Sequence, residues 1–142
     1  MKVVFLDVDG VLNTIDGIYH FGMNYIDDER VQLVAKIINA TDAKIVLSST
    51  WRIDPENRKL VEIALSKYGL TIFDATPISE KYDLRKNEIQ QWLDQNPTDK
   101  FAIIDDWSEA GIGQNLFQTN NYNGLTHEIA EKVIQHFSGI VP

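Results

Sequence analysis

The hydrophobic positions of the chain form short apolar runs that alternate with segments of helical periodicity. The apolar runs predict buried strands at 2–6, 44–47, 71–73 and 101–104 and a weaker fifth strand at 115–118. Apolar residues at helical spacing, together with capping residues, predict helices over 28–39, 55–68, 83–94 and 126–137. Strands that alternate with helices in this way are typical of a three-layer α/β domain with a parallel, Rossmann-like sheet of about five strands.

Composition and charge narrow the functional class. A chain of 142 residues has the length of one ordinary domain, and we expect 1–142 to form a single one. Because it contains no cysteine, disulfides, thiolate metal sites and a cysteine nucleophile are excluded. The formal net charge of −8 disfavours tight binding to nucleic acid. No apolar segment has the length of a leader or a membrane span, so we expect a cytoplasmic location and no membrane partner.

Acidic residues follow two of the predicted strands. Asp7 and Asp9 come after the first strand, and Asp105 and Asp106 come after the fourth. Ligands of parallel α/β sheets bind outside the carboxyl ends of the strands. If the first and fourth strands are neighbours, these four carboxylates lie there in one small volume. They would repel one another without a countercharge, and an all-oxygen donor set favours a hard cation such as Mg²⁺.

The carboxylates of such a cluster can take the different roles that cleavage of a phosphate ester requires. One ionised carboxylate can act as nucleophile and ligand, while repulsion keeps a proton on a neighbour for the leaving group. An isolated Asp-x-Asp-Gly is more often a turn or a piece of a calcium loop. The position of this one, directly after a buried N-terminal strand, favours the catalytic interpretation.

Four segments in order resemble the motifs of the haloacid dehalogenase-like (HAD) superfamily. The run Asp-Val-Asp-Gly-Val-Leu-Asn at 7–13 resembles the first motif, and Ser48 after an apolar strand resembles the second. The basic pair Arg85 and Lys86 resembles the third, and the acidic pair that ends 103–106 resembles the fourth. The resemblance implies an HAD-like core and an Mg²⁺-dependent phosphatase that forms an aspartyl-phosphate.

The resemblance also implies roles for individual residues. Asp7 would be the nucleophile, and Asp9 the general acid and base with its backbone carbonyl on Mg²⁺. Ser48 would bind the phosphoryl group, with Ser49 as the alternative if the strand ends one residue later. Either Arg85 or Lys86 would neutralise that group, and both remain candidates. The implied metal-binding residues are Asp7, Asp9, Asp105 and Asp106, of which Asp105 would act through water or by contacting another ligand. The candidate substrate contacts are Gly10, Ser49 and Arg52.

The two places where HAD proteins insert a cap domain are short in this chain. Segment 13–27 can form a flap loop, and 74–84 is shorter still, so we expect a capless core. An open site suits a phosphorylated substrate that is large or macromolecular, although an oligomeric partner could also roof it. The chain is similar to small HAD domains fused within RNA-repair proteins, which gives a nucleic-acid-end or nucleotide phosphatase as an alternative. A non-catalytic metal-binding interaction domain of the same fold is a second alternative.

Several aromatic and basic residues near these motifs have two interpretations. Trp51 could stack on a base, or it could be a partly buried platform. Arg52 could clamp a phosphate, or it could form a salt bridge. Tyr19, His20 and Phe21 lie in the expected flap and could contact substrate or simply pack. A receiver domain is disfavoured, because a receiver has its acceptor aspartate directly after a middle strand, and this chain has no aspartate at that place.

Overall fold

A computed structural model describes residues 1–79 and 84–139 and has a five-stranded parallel sheet at its centre. The strand order across the sheet is β3-β2-β1-β4-β5. The strands are β1 (Lys2–Leu6), β2 (Lys44–Leu47), β3 (Ile72–Ala75), β4 (Lys100–Asp105) and β5 (Leu116–Gln118).

Helices connect the strands and cover both faces of the sheet. They are α1 (Ile15–Phe21), α2 (Asp28–Thr41), α3 (Pro55–Ser66), α4 (Arg85–Gln95) and α5 (His127–Ser138). Two short 3₁₀ turns, Thr50–Arg52 and Ser108–Ala110, follow β2 and β4. Within 1–79 and 84–139, we find no helix that combines the length and the hydropathy required to cross a bilayer.

The core lies in two layers, one on each side of the sheet. Alternate residues of β1 enter different layers, because successive side chains of a strand point to opposite faces. Val4 and Leu6 pack with buried residues of α2, α3 and α5. Val3 and Phe5 pack with buried residues of α4, including Trp92, which meets Phe5 edge to face. The three-layer α/β architecture expected from the sequence is confirmed.

Helices α1, α2, α3 and α5 start where a side chain satisfies a free backbone amide of the first turn. Asp27 caps α2, Asp54 caps α3 ahead of a proline, and Thr126 caps α5. Helix α2 ends at Thr41, and its C-cap residue Asp42 adopts the left-handed conformation with φ of 59°. These caps agree with the predicted helix starts to within a residue or two.

The structure differs from the sequence prediction in one additional helix and at several element boundaries. The expected flap loop at 13–27 contains α1, a seven-residue helix capped by the hydroxyl of Thr14. Strand β3 extends two residues beyond the predicted 71–73, and α3 ends at Ser66, before the predicted end at residue 68. The predicted start of α4 at residue 83 lies outside the described residues; the described helix begins at Arg85.

Candidate active site

The carboxyl ends of the three central strands finish at the same level of the sheet. Strand β1 pairs with β2 and with β4 so that Asp7, Ser48 and Asp105 follow paired positions and stand side by side. The amide of Asp7 donates to the carbonyl of Ile104, and the amide of Ser48 donates to the carbonyl of Leu6, both at 3.1 Å. The sheet itself therefore fixes the spacing of these three residues.

Three acidic side chains converge at this edge. Asp7, Asp105 and Asp106 each place a carboxylate oxygen within 4.8 Å of the others. The side chains of Asp7 and Asp105 are 4% and 0% exposed, whereas Asp106 lies partly exposed at the mouth of the site. Carboxylates this close together and this poorly hydrated require a compensating positive charge.

Arg85 supplies part of that charge. As the first residue of α4, it directs its guanidinium at the cluster, with Nη1 2.8 Å from Oδ2 of Asp105 and 3.2 Å from Oδ2 of Asp7. Burial lowers the pKa of Arg85, but attraction to the Asp7 and Asp105 carboxylates outweighs burial and raises it. The ring of Trp107 lies beside this guanidinium, 5.7 Å from ring centroid to guanidinium carbon.

One guanidinium does not neutralise the cluster. Burial and the nearby charge of Asp105 raise the pKa of Asp7 well above its ordinary value, and Arg85 opposes this only in part. Burial and Asp105 also raise the pKa of Asp106. An additional cation would relieve this repulsion, and three carboxylate oxygens are the donors that Mg²⁺ prefers. The residues present therefore fit a magnesium ion.

Lys86, the other candidate for the third-motif cation, lies one residue further along α4. Successive helical residues point about 100° apart, so that Lys86 and Arg85 face different directions. Within residues 1–79 and 84–139, Arg85 forms ion pairs with the acidic cluster and Lys86 forms none. The geometry thus brings Arg85, rather than Lys86, to the strand ends.

The two candidate serines differ in their hydrogen bonding. Ser49 accepts a hydrogen bond from the amide of Trp51 at 3.1 Å and so caps the 3₁₀ turn after β2. The hydroxyl of Ser48 is buried beside Asp7 and has no hydrogen-bond partner among the described residues. Unpaired buried hydroxyls are uncommon and costly, which favours Ser48 as the group that meets a ligand oxygen. The neighbouring hydroxyl of Thr76, after β3, is unpaired in the same way.

Arg52 is buried with all five of its N–H groups in use. Nε donates to the carbonyl of Thr76, and Nη1 donates to the carbonyls of Ser48 and Ser49. Nη2 donates to the carbonyl of residue 77 and forms an ion pair with Glu88 at 2.9 Å. A guanidinium has five N–H donors, so none is left for a substrate phosphate in this arrangement. Arg52 instead joins the ends of β2 and β3 to helix α4.

Asp9 stands apart from the other three acids. Its exposed carboxylate accepts hydrogen bonds from Nδ2 of Asn13 at 2.9 Å and from the indole Nε1 of Trp51 at 3.2 Å. The side chain of Asp9 is therefore outside the three-carboxylate group, which leaves its backbone carbonyl as the expected metal contact. Asn13, which closes the first motif, and Trp51, which follows the second, thus orient Asp9, a role that the sequence pattern did not predict for either residue.

Gly10 allows the two acidic motifs to approach each other. Its φ of +77° lies in the left-handed region, and a Cβ at this position would fall 2.3 Å from Oδ2 of Asp106. The amide of Gly10 already donates to Oδ1 of Asn13 at 3.0 Å. The structure thus gives Gly10 a part in forming the acidic site, and its contact with substrate stays a prediction.

Two adjoining cavities open at this end of the sheet. The first, of about 310 Å³, is lined by Asp7, Asp9, Thr50, Arg85, Asp106 and Trp107. The second, of about 270 Å³, is lined by Asp9, Met23, Asn24, Thr50, Trp51 and Asn57. Asp9 and Thr50 line both, so the two cavities adjoin, and together they are called the groove below. A larger cavity of about 660 Å³ lies between α2 and the start of α5, and none of the acids of the site lines it.

The aromatic residues of α1 in the flap segment (residues 13–27), namely Tyr19, His20 and Phe21, are exposed. Tyr19 and Phe21 leave 84% and 71% of their surface open, and His20 pairs with Asp16 across one turn of α1. None of the aromatic side chains of α1 lines either half of the groove. A contact between these residues and substrate stays a prediction.

Comparison with known proteins adds a family to this geometry. Neither the curated proteins nor the solved structures include a match to the chain. The family described as the HAD domain in Swiss Army Knife RNA repair proteins matches residues 3–130, which include every site residue discussed above. Membership of the HAD superfamily suggests a phosphatase-type hydrolase, and HAD domains generally use Mg²⁺. The chain therefore belongs to the family of HAD domains found in Swiss Army Knife RNA repair proteins.

Proposed function

We propose that the chain is an Mg²⁺-dependent phosphohydrolase that cleaves a phosphomonoester through an aspartyl-phosphate on Asp7. The observation that carries the proposal is the convergence of three carboxylates with one guanidinium beside the unpaired hydroxyl of Ser48. This arrangement offers a nucleophile, a cation and a hydrogen-bond donor to one phosphoryl group.

The acidic cluster would hold the metal through carboxylate oxygens of Asp7, Asp105 and Asp106. When bound, Mg²⁺ supplies positive charge that offsets the charge of the phosphoryl oxygens. Arg85 contributes further positive charge, and the Ser48 hydroxyl donates a hydrogen bond to a phosphoryl oxygen.

The reaction then proceeds in two displacements. A carboxylate oxygen of Asp7 attacks phosphorus, the ester P–O bond breaks, and the leaving oxygen takes a proton from Asp9. Asp9, now ionised, accepts a proton from water as that water attacks the aspartyl-phosphate. Inorganic phosphate leaves, and both aspartates return to their initial states. Asn13 and Trp51 hold the Asp9 carboxylate at the mouth of the site throughout.

The test compares hydrolysis of an aryl phosphate by the wild-type chain and by Asp7→Asn, each with Mg²⁺ and with EDTA. We expect Mg²⁺-dependent turnover that Asp7→Asn lowers by at least ~10³-fold, because it removes the nucleophile. Asp94→Asn makes the same chemical change at an exposed position of α4 and should keep wild-type activity. Equal activity of the wild-type chain and Asp7→Asn would show that Asp7 is not the nucleophile.

The family description favours one narrower function. Because the matching family occurs in RNA repair proteins, a phosphorylated RNA end is the macromolecular substrate to test first. Release of inorganic phosphate from oligonucleotides with a 3′- or 5′-terminal phosphate in the same assay would support this narrower function. Saturable Mg²⁺ binding without turnover of any phosphate ester would instead favour a non-catalytic metal-binding domain.

A further inference from the structure

The second half of the groove is a feature that the phosphoryl chemistry does not use. It lies between the connection from α1 to α2, which contributes Met23 and Asn24, and the start of α3, which contributes Asn57. Trp51 forms part of its wall. Its volume of about 270 Å³ is slightly below the ~300 Å³ at which small-molecule sites usually begin.

The position of Asp9 indicates which part of the substrate this cavity would contact. Asp7, Arg85 and Asp106 line only the first cavity, where the phosphoryl group would be held. A general acid must lie within hydrogen-bond reach of the oxygen that departs. Asp9 lies at the junction of the two cavities, so a departing oxygen beside it has the phosphoryl group on one side and the second cavity on the other. From this placement we infer that the second cavity is the leaving-group subsite; the inference rests on the function proposed above.

The lining of the subsite indicates what kind of leaving group it takes. Met23 is 76% exposed, and a thioether makes favourable contacts with flat aromatic rings. The amides of Asn24 and Asn57 have no hydrogen-bond partner within 1–79 and 84–139, and each can both donate and accept. Such amides complement the polar edges of a heterocycle.

The charge of the subsite further limits the leaving groups that it can bind. The residues that line it include no lysine or arginine, and its one charged group is the carboxylate of Asp9. A second phosphate in this cavity would meet negative charge and no cation. The leaving group that fits is therefore an uncharged alcohol that bears a planar heterocycle with hydrogen-bonding edges. This inference favours a mononucleotide over a phosphorylated RNA end, whose leaving group carries the charge of its phosphodiesters.

The experiment measures kcat/KM for three esters on the wild-type chain: a nucleoside 5′-monophosphate, the matching nucleoside 3′,5′-bisphosphate and glucose 6-phosphate. We expect the monophosphate to exceed both others by at least ~10-fold, because each comparator lacks either neutrality or the planar ring. Equal values for the monophosphate and the sugar phosphate would overturn the assignment of a planar leaving group. A bisphosphate as good as the monophosphate would overturn the assignment of an uncharged one.

Variants then test the location. Met23→Ala and Asn57→Ala should each lower the ratio of kcat/KM between the nucleoside monophosphate and glucose 6-phosphate by ~3- to 10-fold. Asn121→Ala, an exposed asparagine outside both cavities, provides the matched control and should leave this ratio unchanged. An unchanged ratio in both Met23→Ala and Asn57→Ala would place the leaving group elsewhere.

A binding measurement separates this inference from the proposed function. Titration of the unphosphorylated nucleoside into the Asp7→Asn chain, followed by NMR chemical shifts, requires no catalysis. Shifts centred on residues 23–24 and 57 would support the subsite even if no ester were hydrolysed, an outcome that would refute the phosphohydrolase alone. Shifts confined to other parts of the chain would refute the subsite.

Discussion

The replacement of Arg52 distinguishes a structural guanidinium from a phosphate clamp. Arg52→Ala removes five hydrogen bonds from a side chain that is 3% exposed, and it leaves Glu88, itself 12% exposed, without its cation. Removal of one partner from a buried ion pair costs about 3–5 kcal/mol. The buried carbonyls that lose their hydrogen bonds increase this cost, but by less than the sum of their separate contributions. We therefore expect the free energy of unfolding to fall by at least ~3 kcal/mol, a large part of the ~5–15 kcal/mol of a typical domain.

Urea unfolding monitored by circular dichroism measures this change. Arg58→Ala provides the control, because Arg58 forms an exposed pair with Glu62 one turn along α3 and should cost less than ~1 kcal/mol. Arg52→Lys keeps the charge but lacks the planar set of donors, so it should recover only part of the stability. A loss below ~1 kcal/mol in Arg52→Ala, together with a large loss of activity, would refute the structural role and favour the phosphate clamp.

Two further predictions concern the acidic cluster. Gly10→Ala should lower Mg²⁺ affinity and hydrolysis, because the new Cβ would collide with Asp106. Gly69→Ala is the control, because Gly69 has the same left-handed backbone but no atom within 4 Å of a new Cβ. Isothermal titration should show weakened Mg²⁺ binding in Gly10→Ala alone. In EDTA, Asp7→Asn should unfold at higher urea concentration than the wild-type chain at pH 7. Burial raises the pKa of Asp7, so the folded wild-type chain loses stability as pH rises above the unfolded pKa of ~4, and the advantage of the variant should vanish below that pH. An advantage that grew towards low pH would contradict this sign.

The central strands were predictable because of how they are buried. Strands β1, β2 and β4 lie inside the sheet with helices on both faces, so their sequences are continuous apolar runs. Strand β3 lies at the edge of the sheet and leaves Phe73 52% exposed, so hydrophobicity alone does not mark its end. Helix α1 has only seven residues, too few to show a helical period, and the Thr14 cap is the local signal for it.

Some features of the candidate site were likewise predictable from the sequence, and others were not. The closeness of Asp7 to Asp105 follows from the pairing of β1 with β4, which the sequence pattern left open and the HAD resemblance favoured. The hydrogen bonds of Arg52 and those of Asp9 join segments far apart in the chain, and residue type alone does not predict them. The difference between Arg85 and Lys86 depends on the direction of a single helical residue, which a boundary accurate to a few residues cannot resolve.

The groups that carry out the chemistry and the groups that meet the leaving alcohol stand on different kinds of backbone. Asp7 and Ser48 follow interior strands whose amides are bonded to neighbours, whereas Met23 and Asn24 lie on an exposed connection between helices. Surface connections tolerate substitution and changes of length far better than interior strands do. Under the proposed function, the chain is consequently a suitable scaffold for directed evolution: libraries confined to residues 22–26 are expected to change the ester preference without altering the residues proposed for hydrolysis.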